Sequence, residues 1–525
     1  MADADAENGD GDEERPQTAI SSFHLIEPFE TNDEQDSIAA WRCPRERSGH
    51  RMWSDGCYAY VFGGYNPNPP SEEDEDEQEQ EVGPMLCDVW KLNLLTHRWT
   101  RLRLSGAGAV PTEMASFAIA ASDDGQFVFM IGGTGVPFGQ TATNAVRALR
   151  LHERRQVLGH WRQVASWHHV HCVGDVPTAC YGQASAVCAV GPNEFITVGG
   201  TAGIEYHMDV HKLVVSINRE QDRWLLNGTW TILCSSEQRG APPVVEARYR
   251  HEIVYLPGDH KVLVFGGGTH DQVYAFENLP CFDLRTRKWT APVRTTPDEQ
   301  HGYPRARKCH ALVHFESRVF MFGGQFGAQW NPQLHHEHHN VQPPEVLGDY
   351  WMCNLETLQW TRLDDTMPKP VYFHAACVTD VRLGRLMLVV RFRVHSVTLC
   401  RVSRTRLDNF RWLIAEALRG TCCIVLSDEA ACNASLRTQT FHLVQDGRVL
   451  CHGGVLDAQT SARTDECQCA WVLPPSLAYL SARTLLAARP HLAQLTSEQL
   501  QRHYAIPMQY ALWISQPAAN APLAA

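Results

Sequence analysis

Six times in this 525-residue chain an apolar strand runs into two consecutive glycines: YVFGG (Gly63, Gly64), FMIGG (Gly132, Gly133), ITVGG (Gly199, Gly200), LVFGG (Gly266, Gly267), FMFGG (Gly323, Gly324) and VLCHGG (Gly453, Gly454). A tryptophan follows each, at Trp99, Trp161, Trp230, Trp289, Trp360 and Trp471. Paired glycines let a backbone turn sharply and approach a neighbouring strand, and a later indole fills the wedge between two sheets. One such pair says nothing, but six with a following tryptophan specify a repeated four-stranded sheet, the blade of a β-propeller. The expected fold is all-β: a six-bladed propeller over 37–474 with a short C-terminal α-helical tail at 475–512. Residues 1–36 and 513–525 are expected to be disordered, and a strand near Ile38 to Trp41 is expected to close the ring against blade six.

The second glycines are 69, 67, 67, 57 and then 130 residues apart, so something extra lies inside blade six. The strand YFHAACVTD (372–380) should turn straight into DGRVLCHGG (446–454), yet Val381 to Gln445 intervene. This segment holds 10 Arg, no Lys, 4 Cys and no Pro, without turn residues suited to leaving and re-entering a hairpin. We read 381–445 as a retained-intron or disordered insertion. The competing reading is a genuine helical insertion, because RLDNFRWLIAEALRG (406–420) has helical spacing.

The formal charge of −13 is localised. Residues 1–36 hold 12 acids against Arg15, and Glu72 to Glu81 hold 8 more; without them 39 acids face 45 bases. Both runs read as solvated segments, and the rest has no field that would draw nucleic acid. The N-terminus has neither a basic start nor an apolar core, so it is no signal peptide. The apolar stretch 381–400 carries four arginines, too many for a membrane span. The 18 cysteines show no framework spacing, as expected of a reducing compartment, the cytoplasm and by extension the nucleus. His335, His336, Glu337, His338 and His339 lack a second ligand group at fixed spacing, so no metal or other cofactor is expected. No nucleophile elbow, phosphate loop or carboxylate pair is legible, and the protein is not expected to be an enzyme.

A second alignment precedes each glycine pair: RSGH (47–50), EMAS (113–116), CYGQ (180–183), RYRH (248–251), RKCH (307–310) and VYFH (371–374). The fourth position is polar throughout, including His50, His251, His310 and His374, and suits a buried structural role better than a metal cluster. The second position is Ser48, Met114, Tyr181, Tyr249, Lys308 and Tyr372. Equivalent positions converge on a propeller axis, so these residues predict an aromatic-lined cup with a cation, and with Arg47, Arg248, Arg250 and Arg307 nearby. Such a cup suits a peptide end: aromatics bury a small side chain while cations pair with a terminal carboxylate. The alternative is that at least two of those arginines are stapled to carbonyls between blades.

The stretches RSGHR, VFGGYNP, IGGTGVPFG, YGQA, DVHKL, RYRHEI, RKCHA and PVYFH, spread over 40–380 and 446–510, resemble the kelch domain-containing protein 10 and Slim family. The resemblance implies a substrate receptor of a cullin-2 RING ubiquitin ligase that reads C-terminal peptides ending in Ala or Gly. It also implies a link to a protein phosphatase in stress-kinase signalling. The tail fits this: Leu477, Ser481 and Leu485 fall at i, i+4 and i+8 of a helix starting after Pro475. They resemble an elongin B/C-binding box, with Ser481 in place of the usual Cys. Pro490 ends that helix, Thr496-Ser-Glu-Gln499 reads as a capping box, and Pro490, Leu492 and Leu495 loosely resemble a cullin-2 box. A competing reading makes the tail a helical clasp under the propeller, in a cytoskeletal or signalling scaffold without a ligase.

Overall fold

The computed structural model describes residues 23–26, 43–68, 83–105, 110–157, 160–182, 188–221, 223–235, 245–327, 344–379, 447–457, 461–473, 475, 477–504, 506 and 508–515. The chain divides into two units, Met1–Arg385 with His442–Ala525, and Leu386–Phe441. The second unit lies outside the described residues, as do the expected insertion 381–445, the histidine run and the strand near Ile38 to Trp41.

The first unit is a six-bladed β-propeller. Blade one is β2 (Arg51–Ser54), β3 (Tyr58–Phe62), β4 (Val89–Asn93) and β5 (Trp99–Arg101). Blade two is β7 (Ala118–Ala121), β8 (Phe127–Thr134), β9 (Ala142–Val157) and β10 (His160–His169), with β6 (Leu104–Ser105) added parallel to β10. Blade three is β12 (Cys188–Gly191), β13 (Glu194–Thr201), β14 (Tyr206–Glu220) and β15 (Arg223–Cys234), with β11 (His171–Gly174) parallel to β15. Blade four is β16 (Glu252–Leu256), β17 (Lys261–Phe265), β19 (Cys281–Asp283) and β20 (Lys288–Trp289). Blade five is β22 (Ala311–Phe315), β23 (Arg318–Phe322), β26 (Asp349–Asn354) and β27 (Gln359–Thr366). Ribbons β18–β21 (Asn278–Leu279, Val293–Arg294) and β24–β25 (Gln325–Phe326, Glu345–Val346) accompany blades four and five.

Blade six takes β28 (Ala375–Val378), β29 (Arg448–His452) and β30 (Cys467–Trp471) from the end of the propeller and β1 (His24–Leu25) from the N-terminus. Residues 23–26 thus belong to the propeller, upstream of the expected boundary at 37. Phe23 packs against Phe322 and Tyr350, and its N–H is held by Asp365. Trp471 ends the third strand of this blade.

The second strands read as continuous apolar runs because a neighbouring blade covers each face; β8, β29 and nearly all of β3, β17 and β23 are buried. The glycines where they end are sterically required. At Gly266 (φ +58°) a Cβ would lie 2.7 Å from the Arg307 carbonyl of the next blade, and at Gly267 one would lie 2.5 Å from the His251 Cβ.

Next to these turns the propeller is closed by a ring of six main-chain hydrogen bonds around its axis. Gly49 N–H donates to Phe373 O (2.9 Å), Ser116 to Gly49 (2.7 Å), Gly182 to Ser116 (2.8 Å), Arg250 to Gly182 (2.7 Å), Cys309 to Arg250 (3.1 Å) and Phe373 to Cys309 (3.0 Å). All six residues have φ between 56° and 67°. Four are not glycine, and the left-handed conformation costs each roughly 1 kcal/mol. The closed ring and its shielded bonds offset that cost. Beneath it the axis holds a cavity of only about 20 Å³, room for about one water, above an Arg51–Glu252 ion pair at 3.6 Å. A ligand therefore has to bind on a face of the ring rather than in a channel.

The tail contains α1 (Leu477–Ala488), a 3₁₀ turn (Pro490–Gln494), α2 (Ser497–Tyr504) and α3 (Met508–Ile514). The capping box forms reciprocally: Thr496 N–H donates to Gln499 Oε1 (2.9 Å) and Gln499 N–H to Thr496 Oγ1 (3.2 Å). Tyr479, Ala482, Leu486, Leu492, Leu500, Trp513 and Ile514 form one core with Cys57, Leu95 and Trp471. Ordered structure thus continues past 512, to Ser515. Asn93 Nδ2 donates to Trp513 O (3.2 Å), and Arg483 donates to Leu95 O (2.8 Å). These propeller residues lie in the turns after β2 and β4, at the end opposite the Gly-Gly turns, so the tail clasps the underside of blades one and six.

Candidate functional site

The first aligned position is a staple between strands. Arg47 Nε donates to its own Arg45 O (2.9 Å) and NH1 to Gly63 O (2.8 Å) and Asp88 (2.7 Å). Arg307 repeats the pattern with Arg305 O (3.0 Å), Gly323 O (3.0 Å) and Asp349 (2.6 Å). Arg248 donates to Glu246 O (3.1 Å) and Gly266 O (3.1 Å), and its guanidinium lies 3.9 Å from the Tyr274 ring centre. All three are buried. They build the blades, and the cup expected from the sequence does not include the Arg248 and Arg307 side chains.

Blade two departs from the sequence alignment by one residue. Gly64 N–H donates to Met114 O (2.8 Å) just as Gly267 N–H donates to Arg307 O (2.9 Å), so Met114 occupies the arginine position. Ala115, Ser116 and Phe117 follow as second, third and fourth. The fourth-position histidines are buried inside the ring, each against a Gly-Gly turn; burial pushes His251 and His374 down to about 3, helped by Arg248 and Arg51 respectively. Among the described residues no group of three His, Cys, Asp or Glu could hold a metal.

Ser48, Tyr181, Tyr249, Lys308 and Tyr372 do meet on the Gly-Gly face, each bridged to the chain just after a glycine pair. Phe138 joins them, 4.9 Å from Tyr65 and 6.0 Å from Tyr181 between ring centres. Tyr206 lies 5.2 Å from Tyr249, and Phe373 5.0 Å from Tyr372. Lys308 is 1% exposed, and its Nζ donates to Thr269 O (2.8 Å) and His270 O (3.4 Å). Burial lowers its pKa. It holds a loop and adds positive potential from below. Arg463, in the loop after Gly454, donates to Ser48 Oγ (2.9 Å) and lies 5.7 Å from the Tyr65 ring centre.

Arg250 differs from every other cation here. Its main chain is in the axial ring, and its guanidinium lies 3.8 Å from the Phe373 ring centre, 5.5 Å from Tyr249 and 6.0 Å from Phe138. Its Nε is buried without a hydrogen-bond partner, and no carboxylate or carbonyl accepts from its guanidinium among the described residues. A cation on an aromatic floor, with no acceptor for its guanidinium among the described residues, suits the binding of an anion. Arg463, Phe138 and Phe373 were not expected from the sequence; they sit in or beside turns whose position only the closed ring reveals.

On the underside, Ser481 is exposed, Leu485 half-buried and Leu480 45% exposed, while the 479, 482 and 486 side chains face the propeller. Leu477 opens the same helix, four residues before Ser481. Leu492 is fully buried within the tail core, Leu495 is half-buried against it, and Pro490 is exposed. Among the described residues no helix is long and apolar enough to cross a membrane.

Six glycine-paired blades closed by a main-chain ring define a kelch-repeat β-propeller, and a family profile described as the KLHDC2/KLHL20/DRC7 kelch-repeats domain matches residues 221–417. The human kelch domain-containing protein 10 is 29% identical over 459 residues, covering 87% of this chain and 77% of its own length. The chain is thus similar to kelch domain-containing protein 10 over most of its length. The Drosophila melanogaster kelch domain-containing protein 10 homolog is 30% identical over 64% of this chain and 51% of its own length, and the Bos taurus kelch domain-containing protein 2 is 24% identical over 64% and 74%.

Proposed function

We propose that the protein is a non-catalytic substrate receptor of a cullin-2 and elongin B/C ubiquitin ligase, and that its Gly-Gly face binds the C-terminal ends of target proteins. The observation that carries this reading is Arg250, an axial guanidinium whose donors have no protein acceptor among the described residues, set among Phe138, Tyr249 and Phe373. A terminal carboxylate matches its fork, and the close aromatic walls leave space for small Ala or Gly side chains. Ser48, Tyr181, Lys308, Tyr372 and Arg463 complete the proposed wall. Arg248 and Arg307 act through the blades that position it. The exposed strip of α1 around Ser481 supports elongin docking, since the opposite strip already faces the propeller.

The test of the mouth compares two otherwise identical peptides ending in Ala. The free-acid peptide should bind and the C-terminal amide should not; equal binding by both would remove the carboxylate from the reading. The tail is tested by copurification. Elongin B/C should be retained by the wild type and lost from Leu477→Asp, with the Tm of the propeller unchanged. Retention by neither protein would favour a scaffold in which the tail is only a clasp, and retention by both would move the elongin contact away from Leu477.

A further inference from the structure

Of the large apolar side chains that stay exposed among the described residues, Val136 and Ile204 alone lie in loops that follow a glycine pair; they are 50% and 93% exposed. One exposed isoleucine is ordinary on a protein surface. These two are held out by the same device. Thr134 and Thr201, buried directly after the glycine pairs of blades two and three, accept on Oγ1 from Gly139 N–H (3.0 Å) and Gly203 N–H (3.1 Å). Thr201 Oγ1 also donates to Glu205 O (2.7 Å), and Gly135 N–H donates to Thr141 Oγ1 (3.0 Å). Loops tied in this way have little freedom to fold the apolar residue back, so covering it with a ligand costs little ordering entropy.

The two loops also meet. A Cβ on Gly203 would lie 3.5 Å from Gly139 O, and one on Gly139 would lie 2.9 Å from the Tyr181 hydroxyl. Val136 and Ile204 therefore form one lip between blades two and three. Aromatic rings join it to the mouth by two routes. Phe138, two residues after Val136, has the Arg250 guanidinium 6.0 Å from its ring centre. Tyr206, two residues after Ile204, lies 5.2 Å from Tyr249, whose ring centre is 5.5 Å from the same guanidinium. A chain leaving Arg250 toward these loops stays on apolar surface. Toward blades one, four and five the rim is instead polar, at Asn68, at Asp271 and Gln272, and at the exposed Arg305–Glu345 pair.

Resting on the reading of the mouth given above, we propose that the lip of Val136 and Ile204 selects an apolar side chain upstream of the bound chain end. The reach from Arg250 to the lip is roughly 10 to 20 Å, so that side chain belongs to a residue about three to six places before the terminal carboxylate. Two separate features of one target are then read: a small charged end, and a leucine-like residue behind it.

The probes are acetylated decapeptides of Gly and Ser ending in Ala-Ala as free acids, with a single Leu moved through about the third to sixth places before the last residue. At one place or two neighbouring ones, Leu should raise affinity for the full chain at least about fivefold over the leucine-free parent. Ile204→Ser should bring the Leu and parent peptides to equal affinity, and Ile204→Met should keep most of the gain. No gain at any place, or a gain that survives in Ile204→Ser, would overturn the assignment. So would a wild-type dimer in sedimentation that Ile204→Ser dissolves, because a second copy would then occupy the lip. The two readings fail separately. Equal affinity for the parent and its C-terminal amide removes the mouth, and the lip with it; a parent that needs its carboxylate but gains nothing from leucine removes the lip alone.

Discussion

Arg250→Glu abolishes binding of a free-acid peptide by the Gly-Gly face, with a loss of roughly 30-fold or more in affinity measured by calorimetry or fluorescence anisotropy. The size follows from placement. Arg250 sits on the axis over Phe373 at 3.8 Å, and water is displaced from one side of its guanidinium, so the pair it forms with a carboxylate is desolvated and stronger than a rim contact. Reversing the charge also turns attraction into repulsion. Arg250→Lys should retain part of the affinity because the charge survives while the fork does not. The main-chain N–H that donates to Gly182 is unaffected by either change, so Tm should stay near wild type. Full binding by Arg250→Glu, with the fold intact, would place the peptide end elsewhere.

The second large effect is acid instability. His251 and His374 are pushed down to about 3 by burial, whereas an unfolded histidine titrates near 6.5. The unfolded chain therefore binds protons that the native chain refuses, and native stability is complete above pH 6.5 and lost as pH falls toward 3. At pH 5 each of these histidines contributes roughly 2 kcal/mol of destabilisation relative to neutral pH. His50, His310 and His452 are shifted in the same direction by the same burial. Denaturant midpoints measured between pH 7.5 and 5 should decline steeply. Blade two already carries Phe117 at the equivalent position, so His374→Phe should fold and flatten the slope; an unchanged slope would mean that the ring is protonated in the native state.

Most of the architecture is legible from the chain because its repeat is enforced by sterics. Gly-Gly pairs mark where backbones nearly touch, and no other residue fits at Gly267. The staple arginines are equally legible as a pattern, yet their role is not: only coordinates separate Arg307, bonded to Asp349, from Arg250, two residues after Arg248 and facing the mouth. Lys308 reads as a carboxylate partner until the carbonyls of Thr269 and His270 are seen to claim it. Blade two conceals its register because Met114-Ala-Ser-Phe carries neither the arginine nor the histidine that marks the motif in its neighbours. β1 is two residues long, below any periodicity that a sequence can display. The helices of the tail were readable from caps and leucine spacing, but not the direction in which each face points.

The last strand position of blade six is filled from the opposite terminus, where His24 and Leu25 pair with Cys469 and Gln468. During synthesis five blades emerge before that partner exists, so Ile26 waits in a nascent chain while its cover from Leu450, Cys467 and Cys469 is still inside the ribosome. The loop to be closed spans nearly the whole polypeptide, which makes the joining step slow and late. Premature termination anywhere before β30 leaves an open arc with two bare sheet edges, and such fragments should be captured by chaperones or aggregate rather than persist as smaller propellers.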